Sequence, residues 1–115
     1  EINSDVIEKE IDFLIQIGLI VTECVNNSIK HGFSASTTNK KVSIYIKRFD
    51  HQVSITYNDN GQGYPYYLLK GNSKLNSSGL VLMDSMAQQI NGKIDLTNNH
   101  GAQMKLLIHS SINVG

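Results

Sequence analysis

The sequence has one cysteine, no excess of charge of either sign and no long apolar run, and each absence excludes a class of protein. Its cysteine, Cys24, cannot form an internal disulfide and offers no metal-ligand spacing. A lone cysteine is typical of a small buried residue in a reducing cytoplasm. Ten basic and ten acidic side chains balance, which disfavours nucleic acid or an anionic membrane as the main partner. The longest apolar stretch, Phe13–Val21, is about half as long as a bilayer requires.

Length and composition indicate one globular domain. The chain has 115 residues, of which 40% are hydrophobic and 17% charged, and this allows one modest core. We therefore predict a single domain over residues 1–115. The sequence opens on Glu1 without a methionine or a signal peptide, so we expect it to be a segment of a longer protein.

A long helix is predicted near the amino terminus. Glu1–Glu10 mixes isoleucine and valine with charged residues and is predicted to hold a short edge strand. Asp12 is a suitable helix N-cap, and Gly32 is a typical stop signal. The pattern between them predicts a helix over Phe13–His31, with Leu14–Val25 in the core.

Two pairs of strands follow, separated by a second helix. Alternation of β-branched or aromatic residues predicts the strands, and apolar residues at helical spacing predict the helix. The predicted elements are the strands Lys41–Phe49, Gln52–Tyr57, Lys93–Thr97 and Gln103–His109, a weak helical turn in Tyr66–Asn76 and the helix Leu80–Ile90. Because strands that are adjacent in sequence form hairpins, we expect a mixed, mostly antiparallel sheet with both helices on one face, which is a two-layer α+β sandwich.

Four polar residues share one face of the first helix. At about 100° per residue, they fall on a single stripe, while Ser28 lies roughly on the opposite, apolar side. The stripe consists of Glu23, Asn27, Lys30 and His31. It is either a solvated surface or a binding face.

Three further segments place glycine and small polar residues at element boundaries. Asp59 follows a strand and precedes Gly61 and Gly63, and such glycines let the backbone approach a flat ligand closely. The segment Ser77-Ser78-Gly79 before the second helix presents N–H groups suited to phosphate. The third segment, Gly101-Ala102, opens the last strand. Each segment also has a purely structural explanation. Asp59 could cap a turn, the serines could cap the second helix, and Gly101-Ala102 could form a hairpin turn.

The sequence lacks three common signatures of nucleotide-binding or catalytic sites. It contains no Gly-Lys-Ser/Thr and hence no Walker A loop, and the glycines after Asp59 do not open a helix as in a Rossmann fingerprint. No serine lies in a nucleophile-elbow context. The histidines show no metal-ligand pairing and are predicted to lie mostly on the surface; they are His31, His51, His100 and His109.

In order and spacing, the stripe and the three segments resemble the four boxes of the ATP-binding catalytic domain of sensor histidine kinases. This domain belongs to the gyrase, Hsp90, histidine kinase and MutL ATPase superfamily. The resemblance runs from about Ile11 to Ile108 and is strongest to compact kinases with a short ATP lid. It implies a Bergerat-type ATP-binding fold that uses ATP and Mg²⁺.

The resemblance implies a role for each residue of the stripe, which matches the N box. Asn27 is implied to ligate Mg²⁺ through its amide oxygen. Lys30 and His31 lie where the family reaches the phosphates. Glu23 occupies the catalytic position that polarises the attacking group.

The remaining boxes are implied to bind the nucleotide. In the G1 box, Asp59 binds the 6-amino group of adenine beside Gly61 and Gly63. The G2 box at the end of the lid is Ser77-Ser78-Gly79-Leu80, and the G3 position is Gly101-Ala102. Ser77 replaces a common glycine and Ala102 a common threonine, so we expect weakened nucleotide binding.

The family's activity is to donate the γ-phosphate of Mg-ATP to a histidine on a separate dimerisation domain of the same kinase. A response regulator acts downstream. Nothing before Asp12 resembles the phosphoacceptor helix, so we expect that domain to be missing and the segment alone to show little activity. The resemblance implies a cytoplasmic domain, and it leaves the membrane attachment of the parent protein open.

Two alternatives stay open. The N box also reads Glu-x-x-x-Asn-x-x-x-His-Gly, as in the anti-sigma-factor serine kinases, with Glu23 at its start. The sensor kinase is preferred because the helix Leu80–Ile90 and the segment after it resemble its G2-to-G3 region. The second alternative is a module that binds nucleotide without transferring phosphate, which the changes at Ser77 and Ala102 permit.

Overall fold

The computed structural model of the chain describes residues 4–69 and 78–109, and its first element is a long helix. This helix, α1, spans Ser4–Asn27. The predicted edge strand in Glu1–Glu10 is therefore wrong for residues 4–10, and Asp12 lies inside the helix rather than at its N-cap. Ile7 and Ile11 are spaced for a helix, and the charged residues between them are good helix formers, so helical periodicity extends further toward the amino terminus than predicted.

Only one side of α1 faces the core. Ile20 and Cys24 are almost fully buried, whereas Leu14 remains 65% exposed and Leu19 48% exposed. The prediction of Leu14–Val25 as core is thus right for one face and wrong for the other. A helix that packs on a sheet by one side turns part of a continuous apolar run toward solvent.

The helical region ends in a π-helical turn, Ser28–Gly32. Its mark is the hydrogen bond from the Phe33 N–H to the Ser28 carbonyl oxygen, at 2.7 Å. Gly32 is the last helical residue, directly after the predicted end at His31. Because a π turn holds more residues than an α turn, side chains beyond Asn27 are rotated away from the positions that regular helical spacing gives them.

In the described part of the chain, four strands form one sheet in the order β1-β2-β4-β3. They are β1 (Val42–Phe49), β2 (Gln52–Asp59), β3 (Gly92–Asn98) and β4 (Ala102–His109). The described pairings β1–β2, β2–β4 and β3–β4 are all antiparallel, in keeping with the prediction of a mostly antiparallel sheet. β2 extends past its predicted end at Tyr57, so that Asp59 pairs with Val42 in the sheet. This extension fixes the backbone of the candidate adenine-binding residue.

The core lies between one face of the sheet and the helices. A short helix, α2, spans Tyr66–Leu69, and a longer one, α3, spans Ser78–Gln89. The α3 helix packs beside α1, where Gln16 Nε2 donates to Gln89 Oε1 at 2.9 Å. The buried core cluster consists of Ile20, Cys24, Val53, Ile55, Tyr57, Leu80, Met83, Met86, Ala87, Met104, Leu106 and Ile108. The arrangement confirms the predicted α+β class.

Part of the predicted G2 box falls outside the described residues. Ser77 lies outside them, so its predicted role stays a prediction. Ser78 begins α3, and Gly79 and Leu80 lie in its first turn. Among residues 4–69 and 78–109, no helix is long and apolar enough to cross a membrane.

Candidate functional site

A cavity of about 530 Å³ lies where the π-helical turn, the loop after β2 and the start of α3 meet. This volume is in the usual range for small-molecule sites. Its lining residues are Cys24, Asn27, Ser28, His31, Gly32, Asp59, Gln62, Gly63, Tyr64, Pro65, Leu68, Leu80 and Ala102. The cavity therefore brings together residues from all four parts of the chain that the sequence singled out.

The Asp59 carboxylate is held from both of its oxygens. Oδ1 accepts the backbone N–H groups of Gly61 and Ala102, each at 2.9 Å. Oδ2 accepts the Ser28 hydroxyl at 2.6 Å. Asp59 is only 6% exposed, yet it lines the cavity. These bonds satisfy a buried charge and fix the direction in which the carboxylate meets a ligand.

The bond to Asp59 is part of a buried chain that sequence reasoning missed. The Ser28 hydroxyl also contacts the Tyr57 hydroxyl, at 2.7 Å. Period-two alternation places Tyr57 and Asp59 on the same face of β2, and this signal was available in the sequence. The contact with Ser28 was not, since it joins residues that are far apart in the chain and depends on the packing of α1.

Two glycines allow the backbone to close around Asp59. A Cβ on Gly61 would overlap the carbonyl oxygen of Gly32, and a Cβ on Gly101 would overlap the carbonyl oxygen of Asp59. Gly101 also has a φ of 143°, which side chains rarely adopt. Gly61 does not line the cavity; its part is to donate its N–H group to Asp59. The close backbone approach that the sequence predicted for the G1 box therefore occurs, at Gly61, between two segments of the protein itself.

Polar side chains tie the loop after β2 to its neighbours. Gln62 donates from its backbone N–H to the Gly32 carbonyl at 2.8 Å and from Nε2 to the His31 carbonyl at 2.6 Å. On the other side, Asn98 Oδ1 accepts the Tyr64 N–H at 2.8 Å while Asn98 Nδ2 donates to the Tyr64 carbonyl at 3.0 Å. Neither Gln62 nor Asn98 was predicted, because their partners are distant in sequence.

Two ionisable side chains in the cavity wall stay neutral. Burial, with a smaller effect of the nearby Glu23 and Asp59 carboxylates, raises the pKa of the Cys24 thiol to about 12. Burial likewise raises the pKa of Tyr64. A protonated thiol is a weak nucleophile, so Cys24 contributes a small apolar side chain to the cavity wall.

Only part of the predicted helix stripe lines the cavity. Asn27 and His31 line it, whereas Glu23 and Lys30 do not. Asn27 forms no side-chain capping bond with the π turn. Lys30 is exposed. The roles of these residues toward a ligand stay predictions.

The G2 and G3 segments reach the same cavity. Leu80, which is 5% exposed, and Ala102, which is 6% exposed, both contribute to its wall. The predicted surface position of the histidines is confirmed, since all four are exposed. Within the described ranges, no three His, Cys, Asp or Glu side chains are grouped so as to hold a metal ion by themselves.

The α+β sandwich, with this cavity at the end of a long helix, agrees with the architecture that the resemblance to an ATP-binding domain implies. The chain belongs to the family of histidine kinase-, DNA gyrase B- and HSP90-like ATPases, whose family model matches residues 14–112. The resemblance that the four boxes carry is thereby confirmed, and with it the GHKL-type ATP-binding class.

The curated relatives include a sensor protein and an anti-sigma factor. The sensor protein LytS of Oceanobacillus iheyensis is 41% identical over 61 residues, which cover 50% of this chain and 10% of that protein. The anti-sigma F factor of Bacillus subtilis is 26% identical over 113 residues, which cover 91% of this chain and 75% of that protein. The match thus covers only about a tenth of the sensor protein.

Solved structures share the fold. The histidine kinase domain of the blue-light activated kinase EL346 from Erythrobacter litoralis superposes with a TM-score of 0.70 at 21% identity, covering 84% of this chain and 44% of that one. The ATP-binding domain of PrrB from Mycobacterium tuberculosis gives a TM-score of 0.68 at 25% identity, covering 85% and 69%.

Proposed function

We propose that this domain binds Mg-ATP and donates its γ-phosphate to a histidine on a separate dimerisation domain of the same kinase. The observation that carries the proposal is that Asn27 and Asp59, which come from α1 and β2, line one cavity of nucleotide size. A phosphoryl-transfer site needs positioning and charge neutralisation more than covalent chemistry, and this cavity offers polar groups from several rigid elements. A response regulator is the proposed downstream partner, and the cytoplasm the proposed compartment.

The proposed role of each group is the one that the family resemblance implies. Asp59, with both oxygens oriented by the protein, accepts a hydrogen bond from the 6-amino group of adenine. His31 lines the cavity beside Asn27 and is assigned to the phosphates, together with Lys30 at the exposed end of the π turn. Glu23, which is half-buried outside the cavity wall, is assigned to polarise the attacking group once a partner domain docks.

The side chains present fit a magnesium ion that is held mainly by the nucleotide. Mg²⁺ prefers oxygen ligands, retains several waters and is commonly bound through few protein ligands together with substrate phosphates. The amide oxygen of Asn27 supplies one such ligand at the cavity. When bound, the ion neutralises phosphate charge, while the protein orients the nucleotide from its adenine end.

A specific observation keeps the anti-sigma-factor reading as a second candidate. The anti-sigma F factor matches 91% of this chain, and the match covers three quarters of that protein. On this alternative, the phosphate acceptor is a serine of a partner protein. A third candidate, binding without transfer, rests on the lack of a hydroxyl at Ala102 and on the serine at position 77.

Calorimetric titration tests the nucleotide site. We expect ATP to bind more tightly with Mg²⁺ than without it, and Asn27→Ala to remove this magnesium dependence. Asn26→Ala is the matched control, since Asn26 is the neighbouring amide and does not line the cavity. Magnesium dependence that survives in Asn27→Ala would favour a module without transfer activity, and no ATP binding at all would refute every candidate.

The acceptor is identified by the chemistry of the phosphoprotein. The parent protein is incubated with ATP labelled at the γ-phosphate, and the labelled product is treated with acid and with alkali. Phosphohistidine is lost in acid and stable in alkali, as the sensor-kinase proposal requires. Phosphoserine shows the opposite behaviour and would instead support the anti-sigma-factor alternative.

A further inference from the structure

Three buried polar groups form a continuous hydrogen-bonded chain beside the cavity. Tyr57 is fully buried, Ser28 is 2% exposed and Asp59 is 6% exposed. The Tyr57 hydroxyl lies 2.7 Å from the Ser28 hydroxyl, which lies 2.6 Å from Asp59 Oδ2. Ser28 and Asp59 line the cavity, whereas Tyr57 does not. Tyr57 can therefore affect a ligand only through its neighbours.

The direction of the hydrogen bonds follows from donor and acceptor counting. An ionised carboxylate only accepts, and a serine hydroxyl has one hydrogen to give. Ser28 gives that hydrogen to Asp59 Oδ2. The Tyr57 hydroxyl must then be the donor to Ser28, so the order of donation is Tyr57 to Ser28 to Asp59.

The Tyr57 phenol is suited to donate a hydrogen bond to Ser28 because it stays protonated. Burial raises its pKa, and the nearby Cys24 and Asp59 act in the same direction, although the hydrogen bond with Ser28 acts against them. The phenol thus remains a neutral donor at physiological pH. A donor in a water-poor interior polarises the hydroxyl it contacts, which strengthens the next hydrogen bond in the chain.

A helical serine has an alternative hydrogen-bond acceptor, and the contact with Tyr57 disfavours that alternative. Helical serine hydroxyls commonly rotate to donate to the backbone carbonyl four residues earlier, here that of Cys24. Donation by Tyr57 occupies the Ser28 oxygen from the sheet side. It thereby favours the rotamer that directs the Ser28 hydrogen to Asp59.

We propose that Tyr57 is a positioning residue for base recognition: through Ser28 it holds Asp59 Oδ2 in the orientation that accepts the 6-amino group of adenine. The proposal rests on the proposed function, in which Asp59 makes that contact. Tyr57 and Ser28 then act as a unit, and their effect is confined to ligands that carry the 6-amino group.

The test compares two ligands on one variant. Tyr57→Phe removes only the hydroxyl, and binding is measured by calorimetry with ADP and with purine riboside diphosphate, which lacks the 6-amino group. We expect the Kd for ADP to rise about three- to tenfold, the range for one hydrogen bond, and the Kd for the analogue to change by less than about twofold. Tyr45→Phe, on the exposed part of β1, is the matched control and should change neither value.

A double-mutant cycle tests the path through Ser28. In a Ser28→Ala background, Tyr57→Phe should cause no further loss of ADP affinity, because the connection to Asp59 is already broken. Additive losses would overturn the proposal, and so would an unchanged ADP affinity in Tyr57→Phe. Equal losses for both ligands would show that Tyr57 acts on the general shape of the cavity, which also overturns it.

The outcomes separate this proposal from the proposed function. If the unaltered protein binds both ligands equally well, the contact between Asp59 and adenine is refuted and the positioning role of Tyr57 is refuted with it. If the unaltered protein prefers ADP and Tyr57→Phe keeps the full preference, only the positioning role is refuted. Should Tyr57→Phe fail to fold, Ser28→Ala is titrated with the same two ligands, and equal losses there overturn the proposal.

Discussion

Asp59 combines an observed structural role with the binding role proposed for its carboxylate. Its Oδ1 joins β2 to the start of β4 through Ala102 and to the following loop through Gly61, while its Oδ2 edge meets Ser28. The family pattern places a hydroxyl at the Ala102 position, and this chain lacks it. A hydroxyl nevertheless contacts Asp59, because Ser28 supplies one from the helix side.

Asp59→Asn separates the two functions. The amide oxygen can still accept the two backbone N–H groups, so the free energy of unfolding should fall by no more than about 1–3 kcal/mol. The amide nitrogen cannot accept from the adenine 6-amino group, so we expect ADP to bind about 10- to 100-fold more weakly by calorimetry.

The control for this charge change is Asp50→Asn. Asp50 lies in the β1–β2 hairpin with a φ of 51°, which asparagine also tolerates, and it is remote from the cavity lining. ADP affinity within twofold of the parent value in Asp59→Asn would contradict the proposed base contact.

At the scale of elements, the cavity depends on loops that are fastened to regular structure. The loop after β2 is joined to the π turn through Gln62 and to the end of β3 through Asn98. Asn98 uses both ends of its amide on the backbone of Tyr64, beside Gly63, which has a φ of 85°. These ties hold a glycine-containing segment in one conformation although it belongs to neither helix nor strand.

Asn98→Ala should loosen this segment. Two hydrogen bonds are lost at an exposed position, so we expect the free energy of unfolding to fall by about 1–2 kcal/mol. Amide hydrogen exchange at Tyr64 should accelerate, because its N–H loses its partner. Asn99→Ala is the control, since the Asn99 N–H bond to the Gly101 carbonyl is a backbone contact that alanine keeps. Equal protection of the Tyr64 amide in both variants would contradict the role given to Asn98.

At the scale of the whole molecule, the protein buries several ionisable groups under one cavity. Cys24, Tyr57 and Tyr64 all have raised pKa values with burial as the largest cause. The folded state therefore holds these protons more tightly than the unfolded chain does. Their contribution to stability is present at neutral pH and is lost as the solution becomes alkaline.

Cys24→Ala should flatten the alkaline part of the stability profile. The pKa of the Cys24 thiol is raised from its ordinary value of 9.0 to about 12 in the folded protein. The contribution of this thiol to stability is therefore lost as the pH rises from the first of these values to the second. Between about pH 8 and about pH 10, the parent protein should lose about 1.4 kcal/mol more of its free energy of unfolding than the variant does. Denaturant unfolding at the two pH values measures this difference, and parallel profiles would contradict it.

Local pattern was sufficient for most of the secondary structure. Alternation predicted strands ending at Phe49 and His109, which are the residues where β1 and β4 end. It failed where two local preferences compete, as in residues 4–10, where β-branched residues suggested a strand and helical spacing prevailed. It also failed at the π turn, because the extra residue has no signature in spacing alone.

The sequence by itself determined the order of elements from the first helix onward, the family and the candidate residues Asn27 and Asp59, because periodicity and motif spacing are properties of neighbouring residues. Only the tertiary structure decided that these two line one cavity, that Lys30 and Glu23 lie outside it, and that Tyr57 reaches Asp59 through Ser28. The physical reason is that these contacts join a helix to a sheet across many intervening residues. Their geometry is set by how the two layers pack, which no short stretch of sequence encodes.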